Sequence, residues 1–148
     1  MPLLVLVVVA LSAAACGGSD TPTSPSPSTT VTAATERFDA IIDVKGSAFR
    51  PFSVGQNGVP SSINLASLSS LTRPGLLPLT MQIGYGTTVL DGDGNVVGCD
   101  QKKTIEATPG LTAQLSESLT PATNYCATIA DVGNLREPAN FSVRITHP

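Results

Sequence analysis

The sequence predicts an all-β fold, an antiparallel β-sandwich of about seven to nine short strands. From about Glu36 to the C-terminus, apolar and polar residues alternate with a period of two, which is the pattern of a strand with one buried face. Residues that favour turns separate the alternating runs. No run of ten or more residues carries the apolar stripe of an amphipathic helix.

Six alternating runs predict strands, and each run is defined by its alternate positions. In chain order these positions are Phe38, Ala40 and Ile42; Ile63, Leu65 and Ser67; Leu79, Met81, Ile83 and Tyr85; Leu111, Ala113 and Leu115; Tyr125, Ala127 and Ile129; and Phe141, Val143 and Ile145. Clusters of Gly, Asn, Asp or Pro predict turns between them, at 56–58, 73–75, 91–95, 108–110 and 133–134. Each cluster supplies a residue that tolerates positive φ or a Pro that fixes φ.

The first fifteen residues predict an export signal. Leu3 to Leu11 is an unbroken apolar run, too short to cross a bilayer as a helix, which takes about 20 residues. Small residues follow from Ser12 to Ala15. An apolar run followed by a small-residue cleavage site is typical of a secretory signal peptide.

Four residues at the end of this signal, Ala13-Ala14-Ala15-Cys16, resemble the lipobox of bacterial lipoproteins. In that family the thiol at this position is diacylated, and a dedicated peptidase then cleaves before the cysteine. The resemblance implies that Cys16 is the lipid anchor and the first residue of the mature protein. The alternative is an ordinary signal peptide with an incidental cysteine. Gly17 replaces the Asp that retains family members at the inner membrane, so the outer membrane is favoured where the source has one.

The segment after Cys16 predicts a solvated tether. Eleven of the twelve residues from Ser19 to Thr30 are Ser, Thr or Pro, so the segment has almost nothing to bury. At about 3.1 Å per residue in a polyproline-like conformation, such a tether can hold a domain as far as tens of Å from a membrane. We therefore divide the chain into a signal peptide at 1–15, the lipidated Cys with its tether at 16–35, and a folded domain at 36–148.

The cysteine count supports the same division. Three cysteines in an exported protein leave one unpaired, and lipidation of Cys16 removes that oddity. Cys99 and Cys126 are then predicted to form a disulfide in an oxidising compartment. Closing this loop of about 28 residues stabilises the fold by about 3.5 kcal/mol on the chain-entropy estimate. A metal site or a nucleophilic thiol would require more Cys or His, and the chain has one histidine, His147.

The C-terminal half of the chain resembles a known sandwich family. A Thr-Pro-Gly turn at 108–110 leads into Leu-Thr-Ala-Gln-Leu, and the strands Tyr125 to Ile129 and Phe141 to Ile145 follow. The order is similar to that of the jelly-roll-like domain appended to bacterial secreted peptidases, the pre-peptidase C-terminal type. The resemblance covers about 36–148. It implies a non-catalytic, jelly-roll-like module that assists secretion or binds polymers.

One local motif suggests a metal. Asp91, Asp93 and Asn95 match the start of a calcium loop, with oxygen ligands at alternate positions. The match then fails, because Val96 stands where that loop requires Gly and Lys102 where it requires Glu. We favour a Gly-rich hairpin turn whose Asp side chains bond to their own backbone. No cofactor is predicted.

Two aromatic residues leave a second alternative open. Phe49 and Phe52 flank Arg50-Pro51, and one ring could form an exposed platform of the kind that sugar-binding sandwiches use. Both rings could instead close one end of the sandwich, and this second interpretation is favoured. The composition argues against a nucleic-acid partner, since the net charge is -3 and Lys102-Lys103 is the only basic pair.

These observations favour a non-enzymatic, membrane-tethered β-sandwich that binds an envelope polymer or a protein partner. The sequence contains no Gly-x-Ser-x-Gly nucleophile elbow. A small hydrolase that uses two carboxylates is the first alternative, and it requires two acidic side chains facing each other in a concave pocket. A structural envelope lipoprotein without any ligand is the second.

Overall fold

The structure is a computed structural model that describes residues 31–55, 59–73 and 75–148. The predicted signal peptide and most of the predicted tether, including Cys16, lie outside the described residues. Every regular element in the described ranges is a strand. The eight strands are β1 (Ala34–Ile42), β2 (Ser47–Ser53), β3 (Ser61–Ser70), β4 (Met81–Leu90), β5 (Val96–Ala107), β6 (Leu115–Glu117), β7 (Asn124–Asp131) and β8 (Ala139–His147). Within these ranges no helix has the length and apolarity to cross a bilayer.

The strands form two antiparallel sheets of four, which confirms the predicted β-sandwich. Sheet I has the order β1-β8-β3-β6, and sheet II has the order β2-β7-β4-β5. Every connection except the β4–β5 hairpin passes from one sheet to the other. This arrangement of eight strands is that of a jelly roll, in which two Greek keys wrap around one core.

The core lies between the sheets and is built from the alternating residues that the sequence singles out. Leu65, Ile83, Ile129 and Val143 are fully buried, and burying such a side chain contributes about 1.5–3 kcal/mol. The rings of Phe38 and Phe141 meet edge to face with their centroids 4.8 Å apart. Aromatic pairs prefer this geometry because the positive ring edge meets the negative ring face.

One predicted strand is largely wrong. In the run from Leu111 to Leu115, the side chain of Leu111 is 92% exposed, and pairing with β3 begins only at β6. Side chains and turn amides hydrogen-bond to β3 in this region instead. The amide of Gly110 donates to the carbonyl of Leu65 at 2.9 Å, and the Gln114 side chain accepts from the Leu65 amide at 2.8 Å. These bonds occupy the N–H and C=O groups of Leu65, so no strand pairs with the β6 side of β3 at this residue. Alternation of apolar and polar residues therefore does not by itself establish a strand here.

Two strands fall outside the six predicted runs, and both lie at an edge of sheet II. Pro51 stands inside β2, where its missing N–H faces no partner strand. Most side chains of β5 are exposed. Because the strand has no well-buried face, its sequence does not need to alternate apolar and polar residues. Lys102 and Lys103 lie on this outer edge and protect it, because charged edge residues discourage pairing with another chain.

The sandwich has two ends, which we call proximal and distal. At the proximal end β1 begins and β8 ends, with Ala34 paired to His147. At the distal end β1 reaches Ile42, which pairs with Ala139. The folded domain begins two residues before the predicted boundary, because Ala34 and Thr35 already belong to the β1–β8 ladder.

A single carboxylate organises the distal end. Asp131 accepts four backbone N–H bonds, from Lys45 at 2.8 Å, Gly133 at 2.9 Å, Asn134 at 2.8 Å and Leu135 at 3.2 Å. Burial raises the pKa of Asp131, but these backbone donors together outweigh it, so the pKa lies below its usual value of 3.8. The ionised form is therefore the one that the fold prefers.

This preference predicts a loss of stability in acid. Because the pKa of Asp131 is lower in the folded chain, its contribution is present above pH 3.8 and is lost as the pH falls through the folded pKa. We expect Asp131→Asn to lower the free energy of unfolding at neutral pH by about 1–2 kcal/mol. It should also flatten the dependence of stability on pH below about 4. Urea titrations at several pH values measure both effects.

The control is Asp43→Asn at the same end, because the Asp43 carboxylate makes no hydrogen bond among the residues that the structure describes. Its pH profile should match that of the wild type. An Asp131→Asn profile that is as steep as the wild-type profile would contradict the assignment.

A cleft at the proximal end

A cleft of about 420 Å³ opens at the proximal end, where the edges of the two sheets meet. Sheet I contributes side chains from β1 and β8, and sheet II contributes side chains from β2, β7 and the β4–β5 hairpin. Its lining consists of Glu36, Pro51, Phe52, Ser53, Thr88, Val96, Asn124 and His147. The surface thus combines charged, polar and apolar groups, as ligand sites commonly do.

Three side chains from different strands form a polar cluster at the cleft, which Glu36 and His147 line directly. Glu36 on β1 has its Oε1 atom 3.0 Å from His147 Nε2 and its Oε2 atom 3.6 Å from Arg50 Nε. Glu36 and Arg50 are substantially exposed, so their ion pair contributes at most about 1 kcal/mol. No local sequence pattern predicts this cluster, because its residues lie on three separate strands that meet only in the folded chain.

His147 is fixed in place by its neighbours, and little of its side chain is exposed. Its ring is mostly buried and lies 5.5 Å from the ring of Phe52. Nε2 is engaged by Glu36, while Nδ1 is shielded from solvent and has no hydrogen-bond partner among the described residues. A general base must come within hydrogen-bonding distance of the proton that it removes. Neither ring nitrogen is free to do this toward a molecule in the cleft.

The opposite wall of the cleft is polar and meets the hairpin. Ser53 Oγ donates to Asn124 Oδ1 at 3.1 Å, and Thr88 Oγ1 donates to the Asn124 carbonyl at 3.4 Å. These bonds join the ends of β2, β4 and β7 at the proximal end. Val96, at the start of β5, completes the wall. Hydroxyl and amide groups here can bond to an uncharged polar ligand.

The β4–β5 hairpin extends past the rest of its sheet. The last register pair between β4 and β7 is Thr87 with Tyr125, yet β4 and β5 stay paired as far as Leu90 and Val96. We call residues 89–98 the β4–β5 ribbon. It carries four large apolar side chains that are 38% to 57% exposed: Val89, Leu90, Val96 and Val97.

The predicted disulfide lies at the base of the ribbon and is confirmed. Cys99 on β5 and Cys126 on β7 are bonded, with their Cα atoms 5.9 Å apart. Cys126 pairs with Gly86 of the intervening strand, so the bridge crosses over β4. Gly86 has no side chain to obstruct this crossing. The disulfide therefore ties the edge strand β5 to the inner strand β7.

At the tip of the ribbon, Asp91 forms the turn that the sequence favoured. Its Oδ1 accepts from the amides of Asp93 at 3.0 Å and Asn95 at 2.8 Å, and the Asn95 side chain also donates to it. These bonds, with the Asn95 amide foremost, hold the pKa of Asp91 below its usual value. No group of three or more potential metal ligands occurs in the described part of the chain.

The favoured interpretation of the two phenylalanines is wrong. Phe52 is buried in the core, but Phe49 is 36% exposed on the outer face of sheet II. Because the two residues are three positions apart in β2, their side chains point to opposite faces of the strand. Phe49 lines a shallow groove of about 190 Å³ with Cys99, Gln101 and Thr128.

The carboxylates are dispersed among the surface concavities. The proximal cleft contains Glu36, and four other concavities along the described residues each contain at most one acidic side chain. A carboxylate-dependent hydrolase of the usual kind requires two such groups about 5–10 Å apart. None of these five surfaces contains the second carboxylate that the hydrolase alternative requires.

Comparison with known proteins yields no identification. No protein-family model matches the chain, and no curated protein matches its sequence. A jelly-roll topology alone does not imply an activity, because one fold supports many unrelated functions. The function is therefore inferred from the residues of the cleft, the ribbon and the N-terminal segment.

Proposed function

We propose that the protein is a lipid-anchored, non-enzymatic binding module of a bacterial cell envelope, with the proximal cleft as its binding surface. The Ala13-Ala14-Ala15-Cys16 motif and the Ser/Thr/Pro-rich tether support the anchor. The resemblance to the pre-peptidase C-terminal domain supports a non-catalytic role. Export, and attachment to the outer membrane where the source has one, are part of the proposal.

The state of His147 is the observation that carries the non-enzymatic part. It is the only histidine of the chain, and it lies in the lining of the cleft. Nevertheless its Nδ1 is sealed from solvent and its Nε2 is bonded to Glu36. The cleft therefore has groups that hold and orient a ligand, but its histidine is not available as a general base.

The lining of the cleft also indicates what it binds. Ser53, Thr88 and Asn124 present hydroxyl and amide groups beside the apolar Val96. Such a surface suits an uncharged, hydroxyl-rich polymer or an extended peptide more than a highly charged ligand. An envelope polymer is the partner that we propose, and an envelope protein is its alternative.

The anchor is tested by labelling cells with an alkyne analogue of palmitate during expression of the full chain. We expect the wild type to incorporate the label and to sediment with membranes, and Cys16→Ala to do neither. The double variant Cys99→Ala/Cys126→Ala is the matched control, because it removes the other two thiols and should keep the label. Equal labelling of wild type and Cys16→Ala would refute the anchor.

The binding surface is tested by sedimenting the protein with insoluble peptidoglycan. Ser53→Trp fills the cleft from an exposed position at the proximal end of β2 and should abolish sedimentation. Ser47→Trp, exposed at the distal end of the same strand, should sediment as the wild type does. Failure of every form to sediment, with no protein partner recovered from envelope fractions, would favour the ligand-free structural alternative. Hydrolysis of the polymer that Glu36→Gln abolishes would favour the hydrolase.

A further inference from the structure

The β4–β5 ribbon exposes four large apolar side chains within ten residues. Leu90 and Val96 are register partners, so they share one face of the ribbon, whereas Val89 points to the opposite face. Beyond Thr87 no strand pairs with β4 on its β7 side, so this part of the hairpin has no further neighbour in its sheet. Several large apolar side chains exposed together on one short hairpin commonly mark a contact with a partner or a membrane.

The ribbon projects from the end at which the chain enters the domain. Ala34, the first residue of β1, pairs with His147, and His147 lines the cleft together with Val96 at the root of the ribbon. Eighteen residue steps separate Ala34 from Cys16, and a chain of that length spans at most about 60 Å. A lipid on Cys16 therefore allows the proximal end, where the tether joins the domain, to lie against the membrane.

We propose that the β4–β5 ribbon rests on the surface of the membrane to which Cys16 is attached, with its apolar side chains in the headgroup region. This inference rests on the proposed lipid anchor. The contact is shallow, about 5–10 Å into the boundary between headgroups and acyl chains, as for other interfacial segments. Its role is to orient the domain, because the acyl chains already supply the attachment.

The charge of the ribbon predicts which lipids it prefers. Residues 89–98 contain Asp91 and Asp93 but no Lys or Arg. Anionic headgroups repel these carboxylates, and salt screens the repulsion. The ribbon should therefore contact zwitterionic surfaces more strongly than anionic ones, and salt should reduce the difference. A ligand in the neighbouring cleft is then held close to the membrane.

A single introduced tryptophan provides the test, because the chain contains no Trp. Val97→Trp reports from the ribbon, at a position that is 57% exposed. Leu76→Trp is the matched control, since Leu76 is 70% exposed and bridges to Ser69 near the distal end of β3. Both full-length, lipidated variants are reconstituted into phosphatidylcholine vesicles whose acyl chains carry bromine close to the headgroup. Thermal melts confirm that both variants fold.

We expect brominated vesicles to quench the fluorescence of Val97→Trp at least about two-fold and that of Leu76→Trp by less than about a tenth. Replacing part of the phosphatidylcholine with phosphatidylglycerol should weaken the quenching of Val97→Trp, and added salt should restore it. Flotation of the vesicles is measured in parallel to follow attachment.

The other outcomes separate the two proposals. Flotation without quenching of Val97→Trp, or with equal quenching of both variants, overturns the ribbon contact and leaves the anchor standing. Failure of the lipidated chain to float overturns the anchor and, with it, the ribbon contact. A blue shift of Val97→Trp that depends on protein concentration in the absence of quenching assigns the ribbon to a second copy of the chain instead.

Discussion

Replacing Gly86 with alanine is expected to lower the free energy of unfolding by about 3 kcal/mol or more, at the upper end of what overpacking costs. A Cβ atom at this position would lie 2.1 Å from the carbonyl oxygen of Asp100 and 2.6 Å from its carbonyl carbon. Both atoms belong to the backbone of β5, so no side-chain rotation can relieve the clash. The whole of β5 would have to move away from β4.

The position of Gly86 makes that movement costly. Gly86 pairs with Gln101 of β5 on one side and with Cys126 of β7 on the other. The disulfide between Cys99 and Cys126 crosses β4 at this point. Displacing β5 therefore strains the bridge as well as the β4–β5 ladder.

Gly92→Ala is the matched control, because no atom lies within 4 Å of a Cβ built on Gly92. It lies in the turn of the same hairpin, and its substitution should change stability by no more than about 0.5 kcal/mol. Urea unfolding followed by circular dichroism measures both variants. A Gly86→Ala protein that is as stable as Gly92→Ala would show that β5 adapts freely.

Removal of the disulfide is expected to have an effect of similar size. Cys99→Ala/Cys126→Ala should lower the free energy of unfolding by about 3.5 kcal/mol, because the unfolded chain regains the entropy of an open loop. The two residues are 27 positions apart. Reduction of the wild-type disulfide should have a similar effect. A loss below about 1 kcal/mol in both experiments would mean that the bridge adds little to the fold.

The two predictions are coupled, and the coupling is itself testable. Without the bridge, β5 is held near Gly86 only by its hydrogen bonds to β4, so it can retreat from an added methyl group. The cost of Gly86→Ala should therefore be smaller in the Cys99→Ala/Cys126→Ala background than in the wild type. Neighbouring sites show interaction energies of about 0.5–3 kcal/mol in such double-mutant cycles. If the two losses of stability simply add, the disulfide does not limit how far β5 can move away from residue 86.

The wrong strand at 111–115 and the unpredicted strands β2 and β5 have a common cause. Alternation of apolar and polar residues indicates which side chains are buried, but it does not show whether the backbone pairs with another strand. The run at 111–115 alternates, but the Gln114 side chain and the Gly110 amide bond to β3 where a strand would otherwise pair. In contrast, β2 and β5 pair well without alternating, because each lies at an edge of sheet II. Since β2 does not alternate, its sequence does not predict that Phe49 and Phe52 point to opposite faces of one strand.

The fold class, most of the core strands and the disulfide could be predicted from local features of the chain. Each of these depends on local alternation, on turn residues or on the number of cysteines. The Asp91 turn was also predictable, since all of its hydrogen-bonding groups lie within five residues. The lipid anchor on Cys16 stays a prediction, because the residue lies outside the described ranges.

The proximal cleft and the β4–β5 ribbon could be located only in the folded chain. Glu36, Arg50 and His147 form one cluster because β1, β2 and β8 meet at the proximal end. The β4–β5 ribbon is exposed because β7 begins at Asn124, which leaves the last residues of the hairpin without a neighbour. Both features depend on which strands pair and in what register. Most of these pairings join residues that are far apart in the chain, so alternation and turn residues do not reveal which strands become neighbours.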